Sequence, residues 1–256
     1  MPDEATVYVG DQAHIPYGPR PAAELVRFSE GITRFLLAQG CKAVVVACNS
    51  ASAAALKPLR RTFPDVPFVG MEPAVKPAAE HTRSGVVVVL ATPATLQGEL
   101  FTATTERHAH GVRVIGEPCP GLVRQIEAGR ARDPETEVLL RGFLAAGLAD
   151  GADQVVLACT HYPFVIDTIR ALAGPAVDVI DPAPAVVRRL RDVLVERGLV
   201  AAPAAGAPAS HRFFTTGDDV RAFARAVHDL VGAPAKAQGL GWREEGGSLG
   251  VHAFER

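Results

Sequence analysis

Two segments of the sequence resemble each other, and this internal similarity constrains the fold more than any other feature. Residues 44–50 read Val-Val-Val-Ala-Cys-Asn-Ser, and residues 155–161 read Val-Val-Leu-Ala-Cys-Thr-His. Each is an apolar run typical of a buried parallel strand, followed by a cysteine, two polar residues and a helical pattern. The two copies lie about one domain length apart. The sequence therefore predicts two similar α/β domains, each with a cysteine at the carboxyl end of a strand.

Strand-like and helix-like patterns alternate along most of the chain. Residues 22–39 carry apolar side chains three and four positions apart, which predicts an amphipathic helix that ends at Gly40. The predicted fold class is α/β, with two open, mostly parallel sheets and a ligand site in the cleft between the domains. After residue 232 the chain is Gly-rich and aperiodic, so we predict a flexible tail over residues 233–256.

Charge and hydropathy exclude several classes of protein. The 26 Lys and Arg residues are balanced by 28 Asp and Glu residues, which argues against a nucleic-acid-binding protein. Apolar runs are far shorter than the ~18 residues that a membrane span needs, and the first residues show no signal-peptide pattern. The predicted location is the cytoplasm, where the four cysteines stay free thiols.

The paired cysteines predict a specific chemistry. A cysteine just before a helix has its thiolate favoured by the helix N-terminus, and the same N–H groups can hold a carboxylate. Two thiols on opposite faces of one carbon could remove a proton from one side and deliver a proton to the other. Such an inversion needs no organic cofactor and no metal. The alternative for each cysteine alone is a small core residue, which is our interpretation of Cys41 and Cys119.

Several further motifs occur along the chain. They are Tyr8-Val9-Gly10-Asp11, Pro16-Tyr17-Gly18, Ala47-Cys48-Asn49-Ser50-Ala51-Ser52, Gly70-Met71-Glu72-Pro73-Ala74, Ala91-Thr92-Pro93-Ala94-Thr95, Cys159-Thr160-His161-Tyr162-Pro163 and Phe213-Phe214-Thr215-Thr216-Gly217-Asp218. With these motifs in this order, the chain resembles the glutamate racemases, within the aspartate/glutamate racemase superfamily, from about residue 2 to about residue 231.

The resemblance implies that L- and D-glutamate are interconverted by two thiols without a cofactor. Cys48 matches the thiol that acts on the D-enantiomer, and Cys159 matches the thiol that acts on the L-enantiomer. His161 matches the histidine that assists the second thiol, and Glu127 matches an acidic residue near it. Eight positions match substrate contacts: Tyr17, Gly18, Asn49, Ser50, Thr92, Thr95, Thr160 and His161.

The resemblance also implies a domain arrangement and a physiological role. One domain comprises residues 1–75 and 186–232, and the other comprises residues 76–185. The expected assembly is a homodimer, and the small-molecule product D-glutamate would enter peptidoglycan synthesis. Related racemases and isomerases that act on aspartate, hydantoins or maleate remain alternatives, because spacing does not identify the substrate side chain.

Two features depart from the family pattern. Ser50 stands where the family usually has Thr, and the hydroxyl is retained. The family begins with a strand that ends in Asp-Ser-Gly, whose Asp assists the thiol matched by Cys48, and no Asp-Ser-Gly occurs in this sequence. Three interpretations stay open: a start upstream of Met1, a piece of a longer protein, or a short paralogue. The paralogue would bind or sense a small ligand without turnover.

Overall fold

The computed structural model describes residue 1 and residues 3–202, 209–232, 236–245 and 248–253. Strands and helices alternate along this part of the chain. The strands are β1 (Thr6–Gly10), β2 (Val44–Val46), β3 (Phe68–Gly70), β4 (Val86–Ala91), β5 (Arg113–Pro118), β6 (Gln154–Ala158), β7 (Asp178–Ile180), β8 (His211–Thr215), β9 (Ala237–Glu245) and β10 (Ser248–Ala253). The helices are α1 (Ala22–Ala38), α2 (Asn49–Thr62), α3 (Val75–His81), α4 (Pro93–Gln97), α5 (Glu99–His108), α6 (Leu122–Glu127), α7 (Pro134–Ala149), α8 (Ile166–Ala173), α9 (Ala183–Glu196) and α10 (Val220–Val231).

The strands form three sheets, in which most pairs are parallel. One sheet has the order β5-β4-β6-β7 and is parallel throughout. A second has the order β1-β8-β9-β10, in which only the β9–β10 pair is antiparallel. The third is the parallel pair β2-β3. The predicted α/β class with mostly parallel sheets is confirmed.

Helices cover both faces of the β4–β7 sheet. Residues 87–91 of β4 are fully buried; Val88 and Leu90 pack into one apolar cluster, and Val87 and Val89 pack into another. A strand with two buried faces needs apolar residues at every position, which explains the uninterrupted valines.

A separate core joins the other strands. It contains Phe35 of α1, Leu56 of α2 and Phe214 of β8, together with Leu240 and Val251 from the two C-terminal strands. The apolar clusters on the β4–β7 sheet draw on residues 74–180, and this core draws on residues before 69 and after 213.

The C-terminal strands correct one prediction. The flexible tail predicted over residues 233–256 is wrong for residues 237–245 and 248–253, which form β9 and β10. Their Gly-rich sequence gives a weak local strand signal, but pairing with β8 and burial of Leu240 stabilise the hairpin. Residues 233–235, 246–247 and 254–256 lie outside the described residues.

One predicted helix is divided in two. The pattern over residues 96–108 predicts a single helix, but α4 ends before Gly98 and α5 begins after it. A Cβ at Gly98 would lie 2.9 Å from the Cβ of Ala53, so glycine at the break allows α2 to approach closely. Among the described residues, no helix combines the length and apolarity that crossing a membrane requires.

Candidate active site

The carboxyl ends of β1, β2, β4 and β6 meet at one open cleft of about 230 Å³. Parallel sheets bind ligands at this edge, because the loops and helix N-termini that follow the strands converge there. Both Cys48 and Cys159 line the cleft. Its other predicted site residues are Tyr17, Gly18, Asn49, Ser50, Thr92, Thr160 and His161.

Cys48 occupies the N-cap position of α2. Its backbone is extended, and its sulfur accepts a hydrogen bond from the Ala51 N–H at 3.5 Å. Burial raises the pKa of the Cys48 thiol, and hydrogen bonds from the N–H groups of Ala51 and Ser50 and from the Ser50 hydroxyl oppose that rise. The helix N-terminus therefore stabilises a negative charge on this sulfur, as the sequence pattern predicts.

Cys159 directly follows β6 and is 8% exposed. Burial raises the pKa of its thiol to about 12, and a negative charge on Cys48 acts in the same direction. The N–H groups of His161 and Tyr162 and the Thr160 hydroxyl oppose the rise. Because a charge on one cysteine disfavours a charge on the other, the pair favours a state with at most one thiolate.

A histidine–carboxylate pair lies beside Cys159. The Nδ1 atom of His161 is 4.0 Å from the Cys159 sulfur, and its Nε2 atom is 2.7 Å from Oε1 of Glu127. The hydrogen bond from His161 is the main reason why the pKa of Glu127 lies below its usual value. A carboxylate at Nε2 favours the tautomer that carries its proton there, which leaves Nδ1 able to accept a proton from Cys159.

Three hydroxyl groups form a cluster that joins the start of α2 to the segment after β4. The Ser50 Oγ atom lies 2.8 Å from Thr92 Oγ1 and 3.3 Å from Thr95 Oγ1, and the two threonine oxygens are 3.1 Å apart. Thr92 lines the cleft, whereas Thr95 is buried behind it. A Cβ at Gly18 would lie 2.8 Å from the Cβ of Thr92, so only glycine allows this close approach.

Asn49 is the one cleft residue whose buried side chain lacks any partner in the described part of the chain. It is 2% exposed, and neither its Oδ1 nor its Nδ2 atom makes a hydrogen bond. A buried amide without partners costs about 1–3 kcal/mol for each unsatisfied group, so its presence in a cleft indicates a polar ligand.

Tyr17 is held by a residue that the sequence analysis did not assign to the site. Its hydroxyl donates to Oδ2 of Asp11 at 2.6 Å. Asp11 is buried and also accepts hydrogen bonds from Thr216 at 2.6 Å and Trp242 at 2.9 Å. Burial, followed by the Asp11 charge, raises the pKa of Tyr17. Asp11 belongs to the Tyr-Val-Gly-Asp motif, which was the only sequence signal for it.

Two further placements complete the comparison with the predicted site. The Thr160 hydroxyl is 3.3 Å from Nδ1 of His161, on the same side as Cys159. Glu127 contacts the cleft through His161 and is not part of the cleft wall. Within the described residues, no group of three or more His, Cys, Asp or Glu side chains is arranged to hold a metal ion.

Comparisons with known proteins agree on one family. The family model for Asp/Glu/hydantoin racemases matches residues 1–190. The chain is 51% identical over 232 residues to a glutamate racemase of Roseiflexus sp. (strain RS-1), covering 90% of this chain and 84% of that protein. It is 48% identical over 216 residues to a glutamate racemase of Pseudomonas aeruginosa, covering 84% of this chain and 80% of that protein.

Solved structures show the same relationship. A glutamate racemase of Bacillus anthracis superposes with a TM-score of 0.81 at 27% identity, covering 96% of this chain and 90% of that chain. The Escherichia coli glutamate racemase, solved in complex with L-glutamate and an activator, gives a TM-score of 0.77 at 25% identity, covering 90% and 86%. This chain is an isomerase of the amino-acid racemase type and belongs to the Asp/Glu/hydantoin racemase family.

Proposed function

We propose that this protein interconverts L- and D-glutamate without a cofactor, with Cys48 and Cys159 as the two proton-transfer groups. The observation that carries the proposal is that both sulfurs line one cleft, each with hydrogen-bond donors that stabilise a thiolate. The relatives named glutamate racemase support glutamate as the substrate. Aspartate, hydantoins and maleate remain alternative substrates.

In the proposed reaction, the Cys159 thiolate removes the proton from Cα of L-glutamate. The Cys48 thiol then delivers its own proton to the opposite face, which leaves a thiolate on Cys48 and gives D-glutamate. The reverse reaction exchanges the two roles. Because both thiols have raised pKa values, each thiolate is a strong base, which suits removal of a weakly acidic Cα proton.

Substrate binding would use the polar groups around the cysteines. The N–H groups at the start of α2 and the amide of Asn49 are suited to the α-carboxylate. We assign the remaining substrate contacts to Tyr17, Gly18, Ser50, Thr92, Thr160 and His161, with Thr95 supporting Ser50 from behind.

The wider organisation is part of the same proposal. We propose two domains, residues 1–75 with 186–232 and residues 76–185, and the separate apolar clusters support this division. β9 and β10 join the first domain through its core. A homodimer and a role in peptidoglycan synthesis follow from the family resemblance and stay predictions, as does the cytoplasmic location expected from the sequence.

A second candidate function is ligand binding without turnover. It is favoured by the surroundings of Cys48, whose sulfur has no hydrogen bond to an imidazole or a carboxylate in the described part of the chain.

Turnover in D₂O distinguishes the two candidates. L- and D-glutamate are incubated separately with the protein, and optical rotation and Cα deuterium are followed. We expect inversion with deuterium in the product, and a loss of about 10²–10⁴-fold in Cys48→Ala and in Cys159→Ala. Cys41→Ala, a thiol outside the cleft, is the matched control and keeps the parental rate. A folded parent that binds glutamate by calorimetry but neither inverts nor exchanges it would establish the second candidate instead.

A further inference from the structure

A glutamine links the two sides of the cleft at a point remote from the cysteines. Gln12 begins the short 3-10 turn Gln12–His14, directly after Asp11 at the end of β1. Its Nε2 atom donates to Oε2 of Glu127 at 3.1 Å. Glu127 ends α6, whose apolar residues pack on the β4–β7 sheet, so this hydrogen bond joins elements with separate cores.

The other end of the Gln12 amide is fixed by β8. The Thr215 hydroxyl donates to Oε1 of Gln12 at 2.8 Å and accepts a hydrogen bond from the N–H of Gly217 at 3.0 Å. Thr215 is fully buried, so this anchor has little freedom. With a donor at its oxygen and a carboxylate at its nitrogen, the amide satisfies both partners in one orientation only.

Packing also restricts the Gln12 side chain. A Cβ at Gly217 would lie 2.9 Å from Oε1 of Gln12 and 3.0 Å from its Cβ. The side chain therefore lies against a bare glycine backbone, in space that any other residue at position 217 would occupy.

The hydrogen bonds form one continuous chain toward Cys159. Thr215 orients Gln12, Gln12 binds one oxygen of Glu127, and the other oxygen of Glu127 binds Nε2 of His161 at 2.7 Å. Nδ1 of His161 faces the Cys159 sulfur. Since each Glu127 oxygen has one hydrogen-bond partner among the described residues, losing the Gln12 bond would free the carboxylate to rotate away from the histidine.

We propose that Gln12 is a positioning residue for the reaction at Cys159: it orients the Glu127–His161 pair from the opposite side of the cleft. This inference rests on the proposed racemase function. It adds a residue that touches neither substrate nor cysteine, and it makes the proton transfer at Cys159 depend on the two sides of the cleft staying together.

Isotope effects test this role. The equilibrium between the two enantiomers fixes the ratio of their kcat/KM values, so these rates alone do not identify which proton-transfer step has slowed. Weakening only the step at Cys159 makes that step more rate-limiting. The primary isotope effect on kcat/KM should then rise for L-glutamate deuterated at Cα and fall for the deuterated D-enantiomer. A general loss of folding or binding would leave the two isotope effects unchanged.

The variant Gln12→Met removes the amide at similar length. We expect kcat to fall about tenfold, as for loss of a hydrogen bond to a charged group, with the opposite shifts of the two isotope effects. Thr215→Val removes only the anchor for Oε1 and should give the same shifts with a smaller loss. The matched control is Gln39→Met, which should change neither kcat nor the isotope effects. Gln39 lies at the end of α1, where its amide oxygen accepts a hydrogen bond from Arg212.

Two outcomes separate this inference from the function on which it rests. A parent without turnover would contradict the racemase proposal itself. An active parent whose Gln12→Met variant keeps the parental kcat, or shifts both isotope effects equally, would overturn the positioning role alone. Thermal unfolding midpoints of all variants establish that they are folded.

Discussion

Cys159 and Cys48 occupy similar positions, each at the end of a buried strand, but their surroundings differ in kind. Cys159 has an imidazole 4.0 Å from its sulfur, and a carboxylate and a glutamine stand behind that imidazole. The hydrogen bonds to Cys48 come from the N–H groups and the hydroxyl at the start of α2. Among the described residues, the imidazole beside Cys159 can therefore accept a proton from its thiol, whereas the groups bonded to Cys48 stabilise the resulting charge.

This difference teaches that similar sequence patterns need not give equivalent sites. The strand, the cysteine and the following helical turn are local features, and the sequence repeats them. The groups behind the neighbours of each cysteine come from elsewhere in the chain: Glu127 of α6 bonds His161, and Thr92 after β4 bonds Ser50. If the proposed mechanism operates, the two proton transfers have different barriers.

Removal of the His161 imidazole should have the largest effect on the difference between the two cysteines. We expect His161→Asn to lower kcat by about 10²–10⁴-fold, because no other base lies against the Cys159 sulfur in the described residues. The isotope effect for deuterated L-glutamate should rise toward its full value. Steady-state rates with both deuterated enantiomers measure it, and His81→Asn, whose ring bonds the Pro77 carbonyl away from the cleft, serves as a histidine control. Equal isotope effects for both enantiomers would show that the two sides are equivalent after all.

For Ser50, which lies beside Cys48, we expect the two isotope effects to shift in the opposite directions. The Ser50 hydroxyl lowers the pKa of Cys48, so Ser50→Ala destabilises the Cys48 thiolate and slows the step at that sulfur. We expect kcat to fall about tenfold, with a larger isotope effect for deuterated D-glutamate and a smaller one for the L-enantiomer. Ser50→Thr keeps the hydroxyl and should retain most of the activity. A shift of the same sign as in His161→Asn would contradict the assignment of one thiol to each enantiomer.

The part of the site that could be predicted is the part that local sequence determines. Cys48 and Cys159 follow apolar runs and precede helical turns, so their positions at strand ends are readable without a structure. The Gln12–Glu127 hydrogen bond was not predictable, because it joins residues far apart in the chain and no local pattern pairs them.

The fold shows the same limit. The valine run of β4 is buried on both faces, and its composition alone indicates this. β9 depends on β8 for its pairing, and its glycines weaken the local signal. The break between α4 and α5 lies at Gly98, which approaches Ala53 of another helix closely. Predictions failed where tertiary contacts outweigh local preference.

The alkaline stability of the protein should report the burial of Cys159. The folded pKa of about 12 lies above the usual thiol value of 9.0, so the unfolded state loses its proton first as pH rises. This contribution to stability is complete below about pH 9 and is lost between about pH 9 and 12, at roughly 1.4 kcal/mol per pH unit. Urea unfolding of the parent and Cys159→Ala at pH 8 and pH 10 measures it. From pH 8 to pH 10, the unfolding free energy of the parent should fall relative to that of Cys159→Ala. A constant difference between the two proteins would mean that the thiol is not buried.

The smallest expected effect concerns the support of the Cys48 side by the C-terminal hairpin. Trp242 of β9 donates its indole N–H to Asp11, which in turn accepts from Tyr17 in the cleft. Because Asp11 keeps its other donors, Trp242→Phe should cost only about 1 kcal/mol of unfolding free energy. The lost donor also loosens the Tyr17 loop, so KM for glutamate should rise while the isotope effects stay at parental values. Trp242→Phe that shifted the isotope effects would instead connect the hairpin to the chemical step. If the isotope effects of Trp242→Phe keep their parental values, the hairpin only supports the Tyr17 loop. The difference between the two thiols then arises from the groups beside the sulfurs.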